Sequence, residues 1–199
     1  TAGMRGKVGL GSNRINRYTI RLAAWGMAQV LGAGKKVAIA YDTRLDSKNF
    51  AEEAAKVLAE AGLDVLIFDR YSPVPLLSYT VRELHCDGGI VITASHNTKA
   101  YNGFKTYEAS GAQMGPNKTE EIFRWMLKKA DPLDVPHCDD LAQENIEWIG
   151  EDIAERFTSA AVDCSKLNDS SAKKDLSIVY TPLFGSGRDF VLDALEKDG

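Results

Sequence analysis

Long hydrophobic runs are absent from this sequence, since no apolar stretch approaches the roughly 18 residues that a membrane-spanning helix requires. The first residues, Thr1 to Gly6, contain no apolar segment of the kind found in a secretory leader. With 44% hydrophobic and 26% charged residues, the 199-residue chain has the composition of a soluble globular protein with enough apolar material for one full core. We therefore expect no membrane partner and a cytoplasmic location.

Cysteine is scarce as well. The chain has three cysteines, Cys86, Cys138 and Cys164, and their odd number and wide spacing fit neither a disulfide framework nor a Cys-x-x-Cys metal site. We expect free, buried thiols. His85-Cys86 and His137-Cys138-Asp139 place histidine beside cysteine, but adjacent residues of an extended chain point apart, which disfavours a metal pair.

Three signatures of common α/β enzymes are also missing. Asp42-Thr43-Arg44, and not Gly-x-Gly-x-x-Gly, follows the predicted strand 37–41, which disfavours a dinucleotide-binding oxidoreductase. No Gly-x-Ser-x-Gly motif of a serine hydrolase occurs. Gly185-Ser186-Gly187 precedes a predicted helix but lacks the Gly-Lys-Ser/Thr of a phosphate-binding P-loop, so we favour a plain strand-to-helix connection over a phosphate site there.

Charge is unevenly distributed in this chain of net charge -4. Residues 1–44 carry eight Lys and Arg against one acidic residue, whereas residues 131–169 carry two against eleven. The split favours a basic amino-terminal stretch that faces a small anionic ligand, with two solvated faces of opposite sign as the alternative. Because the total charge is acidic and aromatic residues do not alternate with the basic ones, we expect no nucleic-acid partner.

Hydrophobic periodicity predicts an alternation of strands and helices. The predicted strands are 37–41, 63–68 and 88–93, and the predicted helices are 16–31, 47–61, 76–84, 118–129 and 144–162. This order implies parallel strands joined by right-handed crossovers. We also expect a tight turn at Asn102-Gly103, an antiparallel edge strand 104–108 and a linker at 131–140. The predicted fold class is α/β, a three-layer α/β/α sheet of mostly parallel strands with one antiparallel edge strand.

The two ends of the chain are predicted to differ from this central part. Residues 1–13 are Gly-rich, so we expect no long regular element there, and the lack of an initiating Met indicates a start inside a longer reading frame. The polar stretch 166–175 predicts a domain boundary, followed by a strand at 176–180 and a helix at 188–195. We therefore predict a first domain at residues 1–165 and the truncated start of a second, similar domain at residues 166–199.

The candidate functional centre is the polar end of a predicted strand. The apolar run Ile90-Val91-Ile92-Thr93-Ala94 stops at Ser95-His96-Asn97. In open α/β sheets, ligands bind at the carboxyl ends of the strands, so we expect Ser95 on an exposed loop at that edge. The predicted strand 104–108 returns toward this loop and brings Lys105 close to Ser95.

These residue types favour a serine that carries a phosphoryl group. Adjacent residues such as Ser95 and His96 rarely align as nucleophile and base, which disfavours hydrolase chemistry. Phosphoryl transfer needs positioning, cations that balance charge, and usually a divalent metal. His96, Lys105 and Arg5 would supply protons and positive charge. An incidental polar loop is the alternative.

Several segments together resemble one family. The three most specific are Thr93-Ala94-Ser95-His96-Asn97, Asn102-Gly103-Phe104-Lys105 and Thr1-Ala2-Gly3-Met4-Arg5-Gly6, which resemble motifs of the α-D-phosphohexomutase superfamily, the phosphoglucomutases and phosphomannomutases. Tyr41-Asp42-Thr43-Arg44, and Thr181-Pro182-Leu183 with Gly185, are similar to further segments of that family. The resemblance spans the whole chain.

The resemblance implies a four-domain enzyme that interconverts hexose 1-phosphate and hexose 6-phosphate. Ser95 would be phosphorylated at rest and would pass its phosphoryl group to the sugar phosphate, forming a hexose 1,6-bisphosphate that also acts as activator. Mg²⁺ would bridge the Ser95 phosphoryl group and an Asp-rich loop of the second domain. Lys105 and Arg5 match proton-transfer and charge-stabilising positions, His96 matches a substrate or proton-relay contact, and Arg5, Asn97 and Lys105 would bind substrate phosphate.

The sequence also departs from the family pattern. Thr98 stands where the motif usually has Pro, which loosens the loop and restores an N–H group beside Asn97. The family's Asp-Gly-Asp-x-Asp metal loop, Gly-Glu-x-Ser-Gly sugar loop and Arg-x-Ser-Gly-Thr phosphate loop do not occur in these 199 residues. We therefore expect the isolated chain to lack mutase activity. The alternative function is a non-catalytic sugar-phosphate-binding or regulatory protein of the same fold.

Overall fold

The computed structural model describes residues 3–129, 131–165 and 177–199, and this part of the chain forms six strands, six α-helices and a short 3-10 helix at Pro132–Asp134. The strands are β1 (Gly3–Lys7), β2 (Lys36–Tyr41), β3 (Asp64–Phe68), β4 (Gly88–Ile92), β5 (Tyr101–Glu108) and β6 (Ile146–Ile149). The helices are α1 (Arg17–Leu31), α2 (Ser47–Glu60), α3 (Val74–Glu83), α4 (Pro116–Lys128), α5 (Glu151–Asp163) and α6 (Arg188–Asp198).

All six strands belong to one mixed sheet with the order β1-β5-β4-β2-β3-β6. The four strands β4, β2, β3 and β6 are parallel, and β5 is antiparallel to both of its neighbours. The predicted α/β class is therefore confirmed. The antiparallel strand lies one position inside the edge, because β1 pairs with its outer side and places Arg5 opposite Gly103.

Helices cover both faces of the sheet because side chains alternate along the strands. In β2, Val37 and Ile39 pack with α1, α2 and α4, whereas Ala38 and Ala40 pack with α3, α5 and α6. Nearly continuous burial of β2 and β4 is what a parallel strand covered on both faces requires.

The Gly-rich stretch 1–13 contains one short regular element in its described part, the five-residue strand β1, while Thr1 and Ala2 lie outside the described residues. Gly3 has φ of 130°, and a Cβ atom there would lie 1.9 Å from the Phe104 carbonyl oxygen. Only glycine allows the two strands to approach this closely, so the Gly-rich composition that suggests a loop serves an edge strand.

The predicted helix 144–162 is wrong in its first part. Residues Ile146–Ile149 form β6, which pairs in parallel with β3, and α5 begins only at Glu151. Ile146, Ile149 and Ile153 follow one another at helical spacing, which imitates a continuous helix. Gly150 separates the two elements and lies so close to Asp69 that a Cβ atom would be 2.5 Å from its carboxylate.

The predicted tight turn at Asn102-Gly103 is also wrong, because both residues lie inside β5. The chain turns earlier, where the Tyr101 N–H donates to the Thr98 carbonyl at 3.0 Å. Gly103 permits a close approach of backbones: a Cβ atom there would lie 2.6 Å from the Met4 carbonyl oxygen and 2.7 Å from that of Thr93.

Two predicted segments near the carboxyl-terminal end also differ. The described residues of the expected linker 131–140 pack on the protein, with Val135 buried in the core and Cys138 Sγ donating to the Lys56 carbonyl. The expected strand 176–180 has no strand structure at residues 177–180. Residues 166–176, and with them the predicted domain boundary, lie outside the described residues, so the division into two domains stays a prediction.

The three cysteines are free, as predicted, but only one is buried. Cys86 lies in the core, Cys138 is half-buried and Cys164 is exposed at the end of α5. No helix among the described residues is long and apolar enough to cross a membrane.

Candidate active site

Ser95 lies on the loop that follows β4, at the carboxyl edge of the parallel strands. Its side chain is exposed, whereas Thr93 and Ala94 just before it are buried. The backbone of Ser95 has φ of 55°, in the left-handed region that residues with a Cβ atom rarely adopt. Its N–H donates to Thr93 Oγ1 at 2.9 Å. This geometry projects the hydroxyl from the sheet edge into solvent.

The side chains of the two residues after Ser95 contact different partners. His96 is exposed, and its Nδ1 atom is 3.4 Å from Ser95 Oγ. Asn97 accepts a hydrogen bond from the Arg5 guanidinium at 2.9 Å through Oδ1. This contact links β1 to the serine loop, so two elements that are 92 residues apart in sequence meet at the site.

Lys105 lies on β5, paired with Val91 of the strand that leads to Ser95. Burial lowers the pKa of its amine below the usual lysine value, and the positive charge of Arg5 lowers it further, while the carboxylate of Asp42 acts in the opposite direction. No described residue accepts a hydrogen bond from this amine. A half-buried amine of lowered pKa beside a second cation has the properties of a proton acceptor near an anionic ligand.

The Asp42 carboxylate, directly after β2, connects the loop to the body of the sheet. Its Oδ1 accepts from Ser47 Oγ at 2.6 Å and from the Arg44 N–H at 3.0 Å. Its Oδ2 accepts from Thr93 Oγ1 at 2.7 Å and from Arg44 Nε at 3.1 Å. Four donors satisfy this carboxylate, so it serves as a fixed anchor at the edge of the sheet.

The same network continues into β5. The buried Asn102 side chain donates to Ser47 Oγ at 2.9 Å and accepts from the Gly103 N–H at 2.8 Å. The Thr93 N–H in turn donates to the Gly103 carbonyl at 3.1 Å. The strand that carries Lys105 and the loop that carries Ser95 therefore share one set of hydrogen bonds.

Arg44 makes the most extensive contacts with the serine loop. Its guanidinium donates to four carbonyl oxygens, those of Ser95 at 2.8 Å, Asn97 at 2.6 Å and Thr98 at 2.8 Å in the loop, and that of Tyr101 at 3.1 Å at the start of β5. Only 13% of the Arg44 side chain is exposed. This side chain therefore lies beneath the loop, on the side away from solvent.

Comparison with known proteins identifies the family of this chain. The profile of the phosphoglucomutase/phosphomannomutase α/β/α domain I matches residues 1–132. The chain belongs to the phosphoglucomutase/phosphomannomutase family. Two curated phosphoglucomutases, from Staphylococcus haemolyticus and Staphylococcus aureus strain MRSA252, are 38% and 36% identical to it over 98% and 99% of its length. The chain spans 36% of the length of each of these relatives.

Solved structures of the family have the same architecture. A provisionally assigned phosphomannomutase from Thermus thermophilus is 27% identical, with a TM-score of 0.71 over 90% of this chain and 38% of its own. A phosphoglucomutase/phosphomannomutase family protein from Burkholderia thailandensis, 22% identical over 84% of this chain and 36% of its own, shares the fold with a TM-score of 0.64.

The family resemblance implies a magnesium ion, but the described residues do not form a complete magnesium site. They contain no group of three or more His, Cys, Asp and Glu residues able to hold a metal ion. Asp42, the carboxylate of the network beneath the Ser95 loop, already accepts four hydrogen bonds from the protein. The exposed Ser95 hydroxyl supplies one oxygen, and one oxygen does not make a magnesium site.

The structure thus places the candidate residues Ser95, His96 and Asn97 on one loop and joins Arg5 to that loop through Asn97. Lys105 lies on β5 opposite Val91, near enough to Arg5 for its charge to act on the lysine amine. No role was predicted for the residues of the hydrogen-bond network that supports the Ser95 loop: Asp42, Arg44, Ser47, Thr93 and Asn102. One signal was available, because Asp42 and Arg44 follow β2 and end at the same sheet edge as the serine loop. The individual hydrogen bonds become visible only in three dimensions.

Proposed function

We propose that Ser95 carries the phosphoryl group in a phosphohexomutase that interconverts hexose 1-phosphate and hexose 6-phosphate. The observation that carries this proposal is the exposed Ser95 hydroxyl on a hydrogen-bonded loop to which the Arg5 cation is joined through Asn97. Lys105, an amine of lowered pKa, lies within the electrostatic influence of Arg5. Family membership supports it, since the curated relatives are phosphoglucomutases. Their activity belongs to proteins of which this chain spans about a third.

The proposed reaction begins with a phosphoryl group on Ser95 Oγ. The bond between phosphorus and the serine oxygen breaks as a bond to a sugar hydroxyl oxygen forms, which converts the hexose monophosphate to a hexose 1,6-bisphosphate. After the bisphosphate reorients, its other phosphoryl group returns to Ser95, and the isomeric monophosphate leaves. Free hexose 1,6-bisphosphate acts as activator because it recharges an unphosphorylated Ser95.

Each of the neighbouring residues has a definite part in this proposal. Lys105 takes the proton of the attacking sugar hydroxyl, which requires its amine to be neutral, and its lowered pKa favours the neutral form. Arg5 balances the charge on the transferring group while Asn97 holds its guanidinium. His96 relays a proton at Ser95 Oγ, from which its Nδ1 atom is 3.4 Å away.

The magnesium ion of the family is expected to bind the Ser95 phosphoryl group together with ligands outside the described residues. Because the described residues do not supply those ligands, none of the steps above is routed through it. We also infer that the 199-residue chain alone has no turnover. The expected substrates are small sugar phosphates, and the expected place of action is the cytoplasm.

The proposal is tested with the protein produced from its complete gene, called here the gene-encoded protein. Conversion of hexose 1-phosphate is measured in the wild type and in Ser95→Ala. The expected result is loss of turnover in Ser95→Ala, with normal folding by circular dichroism. The matched control is Ser110→Ala, which removes an exposed hydroxyl from the turn after β5 and should leave the rate unchanged. Full turnover by Ser95→Ala would refute the proposal. Binding of sugar phosphate without turnover in the wild type would favour a non-catalytic binding protein.

A further inference from the structure

We infer that Arg44 is a positioning residue for phosphoryl transfer, which holds the Ser95 loop in its reactive geometry without touching the substrate. The inference rests on the proposed function for its kinetic consequences, but its structural part is independent of that function. Arg44 lies outside the Ser95 loop and reaches it from the segment after β2.

The donors of Arg44 are fully used within the protein. A guanidinium has five N–H donors and no acceptor. In Arg44, Nε donates to Asp42, one terminal nitrogen donates to the Thr98 and Tyr101 carbonyls, and the other donates to the Ser95 and Asn97 carbonyls. These contacts account for all five donors, so none remains for a phosphate or a sugar hydroxyl. Arg44 therefore differs from Arg5, which is exposed and makes one hydrogen bond to Asn97.

The loop has few other restraints of its own. Apart from the pairing of β1 with β5, the backbone hydrogen bonds of residues 95–101 are those from Asn97 to Ala94, from Tyr101 to Thr98 and from Val8 to Ala100. Ser95 also occupies the left-handed region, a conformation that persists in a residue with a Cβ atom only where surrounding contacts fix it. The four carbonyls that Arg44 binds span this loop from its first residue to the start of β5. Arg44 consequently restrains both ends of the loop at once.

The charge of Arg44 is compensated close by. The Asp42 carboxylate accepts from both the Nε atom and the backbone N–H of Arg44, and it is itself tied to Thr93 and Ser47. The ion pair thus presents little net charge to an anionic ligand. What Arg44 contributes is the fixed fork geometry of its donors, which a lysine cannot reproduce because an ammonium group has three donors on one atom.

The test compares Arg44→Lys with Arg21→Lys in the gene-encoded protein. Arg21 is a matched control, because it pairs with Glu53 across α1 and α2 and its side chain is 13% exposed, as is that of Arg44. Hydrogen–deuterium exchange of the peptide covering residues 93–101 is measured in both variants. We expect faster exchange of this peptide in Arg44→Lys and unchanged exchange in Arg21→Lys. Equal exchange of the peptide in wild type and Arg44→Lys would overturn the inference.

Steady-state kinetics separates positioning from substrate binding. We expect Arg44→Lys to lower kcat by about ten-fold or more while KM for the sugar phosphate stays within about two-fold, since no donor of Arg44 is available to the substrate. A higher KM with unchanged kcat would show a substrate contact and overturn the inference. In Arg44→Ala, added guanidinium at millimolar, non-denaturing concentration should restore part of kcat. If the wild type itself has no turnover, the proposed function fails, and the exchange experiment still decides whether Arg44 holds the loop.

Discussion

Arg5 and Lys105 lie on the same face of the β1–β5 ladder, where Arg5 pairs with Gly103 two residues before Lys105. Opposite residues of an antiparallel pair point to the same side, and so do residues two apart along one strand. The guanidinium charge therefore acts on the Lys105 amine, and together with burial it lowers the pKa of that amine. The edge strand β1 thus carries the charge that lowers the pKa of Lys105, the candidate base.

The pH dependence of the proposed reaction follows from this pair. If neutral Lys105 accepts the proton, the rate rises with pH through the Lys105 pKa. Arg5→Gln removes the repelling charge and so raises this pKa, which moves the acidic limb of the kcat profile to higher pH. Arg5→Lys keeps the charge and should leave the limb in place. A limb that does not move in Arg5→Gln, or that moves to lower pH, would contradict the assignment of Lys105.

Gly103→Ala is expected to destabilise the fold at the site. The new Cβ atom would meet two backbone oxygens, those of Met4 and Thr93, at 2.6 and 2.7 Å, and neither can rotate away. We expect a loss of about 1–3 kcal/mol in the free energy of unfolding, measured by urea denaturation. The control is Gly6→Ala, on the neighbouring pair of the same ladder, whose Cβ atom would make ordinary contacts at 3.7 and 3.8 Å. Equal stability of the two variants would show that Gly103 is not required for this approach.

Asp87 is expected to contribute stability that is lost in acid. Hydrogen bonds from the Lys36 N–H and the Lys35 ammonium hold the pKa of its carboxyl below the usual range. The contribution is therefore present above the unfolded-state pKa and disappears as pH falls through the lower folded-state pKa. Because the side chain is 35% exposed, Asp87→Asn should cost only about 0.5–1 kcal/mol at pH 7. Urea denaturation at pH 7 and pH 2 checks this, and an equal loss at both pH values would contradict it.

The cysteines should differ in their reaction with iodoacetamide. Burial raises the pKa of the Cys86 thiol to about 11, so little of the reactive thiolate forms at pH 8 in the folded protein. Cys164 is exposed and should be alkylated first. Mass spectrometry of the peptides after brief labelling gives the order, and the unfolded protein in urea provides the control in which both thiols react. Early alkylation of Cys86 in the folded protein would place it outside the core.

The sequence was most informative where one strand carries both a buried run and a polar end. Ile90 to Ala94 followed by Ser95 is sufficient to place an exposed hydroxyl at the carboxyl edge of a parallel sheet, because this depends on local pattern and general topology. The sequence pattern was misleading at β6, where Ile146, Ile149 and Ile153 have the spacing of a helix. The spacing of hydrophobic residues alone cannot distinguish a short strand that is followed, after a single glycine, by a helix from one longer helix.

Other features depended on contacts between distant segments. The Asn102-Gly103 pair usually signals a turn, but here Gly103 allows Met4 and Thr93 to approach β5, and neither partner is near it in sequence. Arg44 is likewise 51 residues from the nearest loop carbonyl that it binds. A sequence does not distinguish an exposed arginine that is free to bind a ligand from an arginine whose donors bind backbone carbonyls. Only the folded structure shows that Arg5 is of the first kind and Arg44 of the second.

The proposed function depends above all on a phosphoryl group at Ser95, and peptide mass mapping detects that group directly. The gene-encoded protein is digested before and after incubation with a hexose 1,6-bisphosphate, and again after addition of a hexose monophosphate. We expect one added phosphoryl group on the peptide containing Ser95, assigned to that residue by fragmentation, and its loss when the monophosphate is added. Binding of sugar phosphates by a protein whose Ser95 never acquires a phosphoryl group would contradict the proposed function.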